Sequence, residues 1–524
     1  MEINLVSWLL AASPIILFLT LILGMKWSGS RSGALTWIVT VLIACLFFGA
    51  DLNLLGYATA KAFLLSLDIL LIILTALFLH RITEKAGTIQ KIGLAISRST
   101  DNRALKAIFL GWLFPSFLQG VGGFGVPVAV AAPLLVSAGF SPVQSIIMAS
   151  VGHAWGITFG SMASAFQSLI AATNLPGGLL APASALMLGI VSFFCGLLVT
   201  FIADGMQGVK RNLLYTLLFG VILSFGQYYL AINDLWILAV TIPSLIALGI
   251  GILMIKSSPP KKQEMTLSTD KAMRYSKNNH EPSLAVSMLP YGILVLLTLL
   301  VNLIPSFNNF LSQTKIVLQF PQITSLLGDV TPAGPGRIIP IFSHPGTIIL
   351  VSALISFLIL WALGFLKRND FKGLLNQTIE GSIQTSLVLF MMAGIAVIMS
   401  HTRMTDVLAR GLSQVFNKDL YFFIAPFIGA VGAFITGNNT NSNVIFASLQ
   451  MRTADLLGLS VPLILAAQTA GGAIGSVLSP AKVFLGCSTV DLVGKEGQVI
   501  AKLLVYGVIL IFIIGALTSL FILL

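Results

Sequence analysis

The chain has 524 residues, of which 56% are hydrophobic and only 9% charged, with a net charge of +11. A soluble domain carries about 25% charged residues, so this composition describes a polytopic membrane protein and excludes a soluble globular enzyme. The excess positive charge does not mark a nucleic-acid binder, because the basic residues sit in short segments between apolar runs, where membrane topology accounts for them.

In chain order, apolar runs predict spans over 5–24, 33–50 and 58–80. A hairpin over 104–139 follows, then spans near 142–165, 181–203, 212–230, 235–255, 284–304, 346–366 and 382–401. A second hairpin covers 420–457, a broken span 461–491 and a last span 500–524. The N-terminus lacks the basic start and cleavage site of a signal peptide, so 5–24 reads as a retained span. The arms of the first hairpin, about 15 and 13 residues, reach about 20 Å at 1.5 Å per residue. That is past the midplane of a hydrocarbon core about 30 Å thick, but not across it. The expected fold is an all-α polytopic membrane protein of about 12 transmembrane helices.

Lys and Arg set the orientation. With 80–106 cytoplasmic, the segments 25–33, 80–106, 204–211, 256–283, 367–381 and 486–502 hold 21 of the 29 basic residues, against six on the outer segments. This predicts both termini outside. The polar stretch 256–283 reads as a cytoplasmic linker between an N-terminal half (1–255) and a C-terminal half (284–524). The longest outer segment, 305–345, contains TPAGPGRIIPIFSHPG, which argues against regular structure. The cysteines Cys45, Cys195 and Cys487 are far apart and form no disulfide framework or metal pattern.

The two halves repeat. A shift of 319 positions brings Gly139, Ser141, Gly152 and Gly156 onto Gly458, Ser460, Gly471 and Gly475, and Gln119 onto Asn438. Seven crossings separate the two hairpin entries, an odd number, so the copies are expected to be inverted. Inverted repeats with interrupted helices point to a transporter's binding site.

Each hairpin has a tip that hydrocarbon would not tolerate unless protein buries it or water reaches it. The first, QGVGGFGVP, offers Gln119, Gly122, Gly123, Phe124 and Gly125, with Pro127 suited to the first turn of the returning helix. Free N–H groups at that helix start favour an anion. The second, GNNTNSNV, offers Asn438, Asn439, Thr440, Asn441 and Asn443, with Ser442 able to cap a helix from Val444. After each hairpin comes a weakened span, ASVGHAWGITFGS and QTAGGAIGSVLSP, which add His153, Gln468 and Thr469. His153, Asp68 and Lys482 are the candidates for ion coupling, since ionisable groups inside a membrane are functional by default. Packing roles stand beside each of these: His153 as a satisfied packing residue, Asp68 in a helix-to-helix hydrogen bond, Lys482 reaching for the interface. Arg452 reads as a local ion pair with Asp455. HExxH, P-loop, GxSxG and GxGxxG contexts are missing, so neither an enzyme nor a nucleotide-driven pump is expected, and no cofactor.

The stretches GGFGVPVAVAAPLLVSAGF (122–140), GHAWGITFG (152–160), TGNNTNSNVIFASLQ (436–450) and TAGGAIGSVLSP (469–480) with VGKE (493–496) resemble the L-lactate permease family over most of the chain. The resemblance implies uptake of L-lactate, D-lactate, glycolate or a similar short 2-hydroxy monocarboxylate with protons across the bacterial cytoplasmic (inner) membrane. It also implies similarity to the wider ion-transporter superfamily, in which paired hairpins and broken helices ride in a mobile, elevator-like domain against a dimeric scaffold. A homodimer in membrane lipid follows as an expectation. The same resemblance implies acids where this chain has Gln119 and Asn439. With amides there, Na⁺ coupling, or cation/proton exchange through Asp68, is the alternative.

Overall fold

The computed structural model describes residues 4–25, 27–97, 100, 102–123, 125–256 and 282–523. The predicted linker 256–283 lies outside the described residues except for its first residue and its last two.

Apolar sequence becomes helix here because hydrocarbon offers the backbone no other hydrogen-bond partner. Among the described residues, twelve helices are long and apolar enough to cross a membrane. The chain opens with α1 (Leu5–Leu19), α2 (Gly29–Phe47) and α3 (Leu52–Lys85). Next comes α4 (Thr88–Ser97), so the predicted loop 80–106 is largely helical. Its Ile89, Ile92 and Ile96 share one helical face and are buried, which is what makes a helix of this loop.

The first hairpin is α5 (Arg103–Ile108), a π-helical turn at Phe109–Leu113, α6 (Phe114–Val121) and the returning α7 (Val126–Ser137). The first arm, Arg103–Val121, is 19 residues long and almost wholly buried, longer than the 15 expected. Asn102 caps it, so it starts one residue before the expected position, and the helix continues through Gln119 and Gly120 to Val121. A span bent by 50° follows, made of α8 (Pro142–His153) and α9 (Gly160–Thr173). Two predicted spans are joined in α10 (Gly177–Ile232), which breaks at Asp204 and Gly205. Then come α11 (Thr241–Lys256), α12 (Leu284–Leu303) and the short α13 (Pro305–Leu311).

The segment expected to be irregular is one long hairpin. Its strands β1 (Lys315–Ile316), β2 (Gln319–Phe320), β3 (Ile323–Thr324), β4 (Val330–Thr331), β5 (Gly334–Pro335) and β6 (Ile339–Pro340) pair antiparallel in nested order, β1 with β6, β2 with β5 and β3 with β4. Each ladder stops after two residues. Pro335 opposite Gln319 and Pro340 opposite Lys315 supply no N–H, so the proline content shortened the ladders without abolishing them.

The second half continues with α14 (Pro345–Ala362), α15 (Asp370–His401) and an amphipathic α16 (Met404–Val415) that the sequence reading left as loop. The second hairpin is α17 (Lys418–Thr436) and α18 (Asn439–Leu457), each of 19 residues. The broken span is α19 (Val461–Leu478) and α20 (Pro480–Thr489), interrupted at Ser479, and α21 (Glu496–Leu523) is last.

The two hairpins are built with the same local devices. Asn102 and Asn417 cap the entering arms. Left-handed Gly125 and Gly437 turn the tips, and left-handed Gly139 and Gly458 end the returning arms. Ser141 and Ser460 then precede α8 and α19, each with proline in the first turn.

Apolar side chains gather in two clusters. The larger joins α4 to α12 with α14, α17 and α19 to α21, and takes Ile72, Ala76, Phe78, Leu79 and Ile82 from α3, Leu374 from α15 and Ala447 and Ala454 from α18. The smaller joins α1, α2, α3, α15 and α16, and takes Ile435, Val444, Phe446 and Leu449 from the second hairpin. The second hairpin therefore lies on the seam between the clusters.

Candidate functional site

The first tip rests on the break between α8 and α9. Gln119, at the end of α6, is buried, and its Nε2 donates to Ser161 Oγ at 3.4 Å. Ser161, Met162 and Ala163 all have left-handed backbone, with φ of 49°, 55° and 60°. Such residues cost about 1–2 kcal/mol each, and runs of them persist only where the surroundings enforce them, often at functional sites. Gly123 also sits here: a Cβ on it would strike the Ser161 side chain. Gly122 is buried beside it, Gly125 turns the chain into α7, and Phe124 lies outside the described residues.

The second tip is shorter than the sequence suggested. A helix was expected from Val444, but α18 starts at Asn439. Left-handed Gly437 ends α17, and Asn438 Oδ1 accepts from Asn441 N at 2.8 Å, so the cap forms four residues sooner than Ser442 could supply it. Asn439, Thr440, Asn441 and Asn443 thus enter the first turns of a helix and are buried.

Their amides find partners on other helices. Asn439 Nδ2 donates to Thr469 O at 2.9 Å, Thr158 Oγ1 at 3.1 Å and Thr469 Oγ1 at 3.2 Å. Asn443 Nδ2 donates to Ala165 O at 2.9 Å and Thr469 Oγ1 at 3.0 Å. A second chain of bonds runs from Tyr421 OH to Gln450 Oε1, from Gln450 Nε2 to Gln468 Oε1 at 3.1 Å, and from Gln468 Nε2 to Ser442 Oγ at 3.1 Å. Four acceptors, Gln119 Oε1, Asn439 Oδ1, Asn441 Oδ1 and Asn443 Oδ1, are buried without a partner among the described residues. A buried acceptor left unmade costs about 1–3 kcal/mol, so each of the four calls for a donor or a cation.

The segment 158–161 touches both tips: Thr158 binds Asn439 and Ser161 binds Gln119. Thr158, Ser161, Gln450 and Tyr421 were not singled out from sequence. Thr158 does stand inside GHAWGITFG, so the motif contained the signal.

A cavity of about 470 Å³ opens at the second tip. Asn438 and Asn441 line it from α18, Arg31 and Ser30 from α2, and Gln384 from α15. Two helix N-termini, those of α2 and α18, meet there, and such ends favour anions. Ser30 Oγ donates to Gln384 Oε1 at 2.6 Å. Arg31 is exposed in the cavity and has no acidic partner among the described residues. From sequence it reads only as a topology charge.

The remaining candidates lie apart from this network. His153 is fully buried, with Nδ1 against Ala149 O at 2.6 Å and Nε2 unpartnered among the described residues. Lys482 is buried and donates to Ser476 Oγ, so it does not reach for the interface. Asp68 binds Arg337 Nε at 2.7 Å and His344 Nε2 at 2.9 Å, a cluster that ties α3 to the nested hairpin and the start of α14. Arg452 pairs with Asp406 at 2.6 Å and not with Asp455, because the α16 helix, unforeseen in the sequence, brings Asp406 to it.

Residues 7–524 match the family described as L-lactate permease. The glycolate permease GlcA of Escherichia coli is 27% identical, with 98% of this chain and 95% of the relative covered. The L-lactate permease of Escherichia coli is 25% identical over 98% and 95%, and that of Bacillus subtilis 26% identical over 98% and 96%. Among solved structures, the YdaH transporter of Alcanivorax borkumensis aligns with a TM-score of 0.48 at 15% identity, covering 90% of this chain and 87% of that one. The chain belongs to the L-lactate permease family, and is a multi-pass bacterial inner-membrane transporter of hydroxy-carboxylates rather than an enzyme.

Proposed function

We propose that the protein is a secondary active carrier of a short 2-hydroxy monocarboxylate, L-lactate, D-lactate or glycolate, that binds the solute's carboxylate in the cavity at the start of α18. The observation that carries this reading is the meeting of two helix N-termini with Arg31, which has no acidic partner among the described residues, and the amides of Asn438 and Asn441. Guanidinium and helix-end N–H groups match a carboxylate, and the neutral amides suit its hydroxyl. Gln119, Asn439, Asn443, Gln468 and Thr469 then hold the tips in register behind it.

Transport follows by alternating access, with α17–α18 and α5–α7 as the paired hairpins of an inverted repeat; three of their four arms run 19 residues, about 28 Å at 1.5 Å per residue, farther than the re-entrant arms expected from sequence. The matched caps and left-handed glycines support the repeat. So does a matched close contact: a Cβ on Gly152 would strike Gly111 O, and one on Gly471 would strike Pro426 O. The seam between the two apolar clusters, which α3 crosses, favours a rigid, elevator-like movement of the second hairpin along α2 and α15. The cavity's Ser30, Arg31 and Gln384 stand in or beside the segments read as cytoplasmic from the Lys and Arg bias.

Proton symport is the first reading of coupling. Na⁺ coupling is the second, and the four unpartnered amide oxygens favour it, since oxygen ligands suit such a cation. Uptake of labelled L-lactate and glycolate into proteoliposomes, under a proton gradient and then a Na⁺ gradient, decides between them. No concentrative uptake under either gradient refutes the carrier reading.

A further inference from the structure

A second cavity, of about 170 Å³, lies farther along the same helix. It is lined by Val444 and Ser448 of α18, by Lys61 on α3, by Ser400 and His401 at the end of α15, and by Asn174. At about 30 Å³ per water molecule it holds roughly six, room for a three-carbon hydroxy acid. Its chemistry is that of an anion site. Lys61 forms no ion pair with the described residues, and Arg337, also at the wall, is already neutralised by Asp68.

The ammonium is held in position. Lys61 Nζ donates to His401 Nε2 at 3.4 Å, which puts the ring proton on Nδ1, 2.9 Å from Thr331 Oγ1 of β4. Lys61 also lies over the Phe320 ring, 5.2 Å from its centre. Ser400 and Asn174 add neutral polar groups of the kind that would bind a hydroxyl. From Asn441 in the first cavity to Ser448 in the second is seven residues, or about 10 Å along the helix. Buried Val444 stands between them.

We propose that the cavity around Lys61 is a second binding site for a short carboxylate, at the opposite end of the solute's path from Arg31. This rests on the carrier reading above. Lys61, Asn174, Arg337 and His401 all fall in or beside segments read as outer, so this site receives the solute from outside and the Arg31 cavity releases it inside.

The test uses the full chain in right-side-out and inside-out vesicles, with labelled L-lactate as probe. Lys61→Gln is expected to raise the KM at the outer face at least tenfold, with a much smaller change at the inner face. Lys61→Arg is expected to keep the outer KM within about threefold of the wild type. Arg31→Gln is expected to show the opposite sidedness. Ser400→Ala removes a hydroxyl from the same cavity and is read in the same way if Lys61→Gln does not elute as a folded protein. A wild-type outer KM in both Lys61→Gln and Ser400→Ala overturns the second site while leaving the carrier reading intact. A wild-type chain that moves no short hydroxy acid overturns the carrier reading itself.

Discussion

The contact between α17 and α19 sets how closely the second hairpin approaches the broken span, and glycines set that contact. A Cβ on Gly429 would lie 2.0 Å from Gln468 O, on Gly471 1.9 Å from Pro426 O, and on Gly475 2.0 Å from Ala430 O. Small residues let helix backbones approach in this way inside a membrane. A carbon sits no closer than about 3.3 Å to a carbonyl oxygen, so Gly475→Ala must push the helices apart by about 1.3 Å. Over-packing a dense core by one methyl costs about 1–3 kcal/mol. The upper end applies, since the obstacle is backbone and the two neighbouring contacts open with it. At roughly 2 °C per kcal/mol for a large chain, the melting temperature in detergent should fall by about 6 °C. Gly373→Ala is the control: it also lies in a helix, but a Cβ there meets nothing within 4 Å. It should hold or slightly raise the melting temperature, because alanine is the better helix former. Equal melting of the two variants would refute the claim that close backbone contact holds the hairpin.

Asn439→Ala removes the amide that links Thr158 and Thr469, and leaves Thr469 O without that donor. At about 1–3 kcal/mol for the orphaned group, uptake should fall about tenfold or more with the protein still folded, as read by initial rates in proteoliposomes. Asp68→Asn breaks a buried pair with Arg337 and His344. Breaking such a pair costs about 3–5 kcal/mol, so the variant should melt earlier and be cut faster by protease within 315–340; an unchanged cleavage rate counts against this anchoring role. Asp406 lies on α16, outside the spanning helices. Burial opposes its ionisation, but hydrogen bonds and charge from Arg452 and Arg410 outweigh burial and hold its carboxyl below the ordinary value. A lowered carboxylate stabilises the fold above its unfolded value, about pH 3.9, and loses that contribution as pH falls through the lowered folded value. The drop in melting temperature below about pH 4 should therefore be shallower in Asp406→Asn than in the wild type. Gln119→Glu installs a titrating group beside Ser161 and should steepen the pH dependence of uptake, measured between pH 6 and 8.

Composition and hydropathy determined the helical membrane fold, because a bilayer admits few alternatives for a chain so apolar and so poor in charge. Asn, Gly and Ser-Pro punctuation marked helix ends in the sequence, since it is local chemistry that acts wherever a helix ends. The polar residues 438–443 were visible as a candidate site, but not as a helix start. Gly437 and the Asn438 cap fix that start locally, but the acceptors that hold the buried Asn439 amide, Thr158 and Thr469, lie hundreds and tens of residues away. Asp68 illustrates the same limit. Its sequence neighbours describe a lone acid in a span, and only folding of the 315–340 hairpin supplies Arg337, with His344 at the start of α14. Arg31 and Lys61 were legible as topology charges alone. That each faces a cavity without a carboxylate partner among the described residues is a fact of tertiary structure, because the absence of a counter-charge depends on every element packed around it.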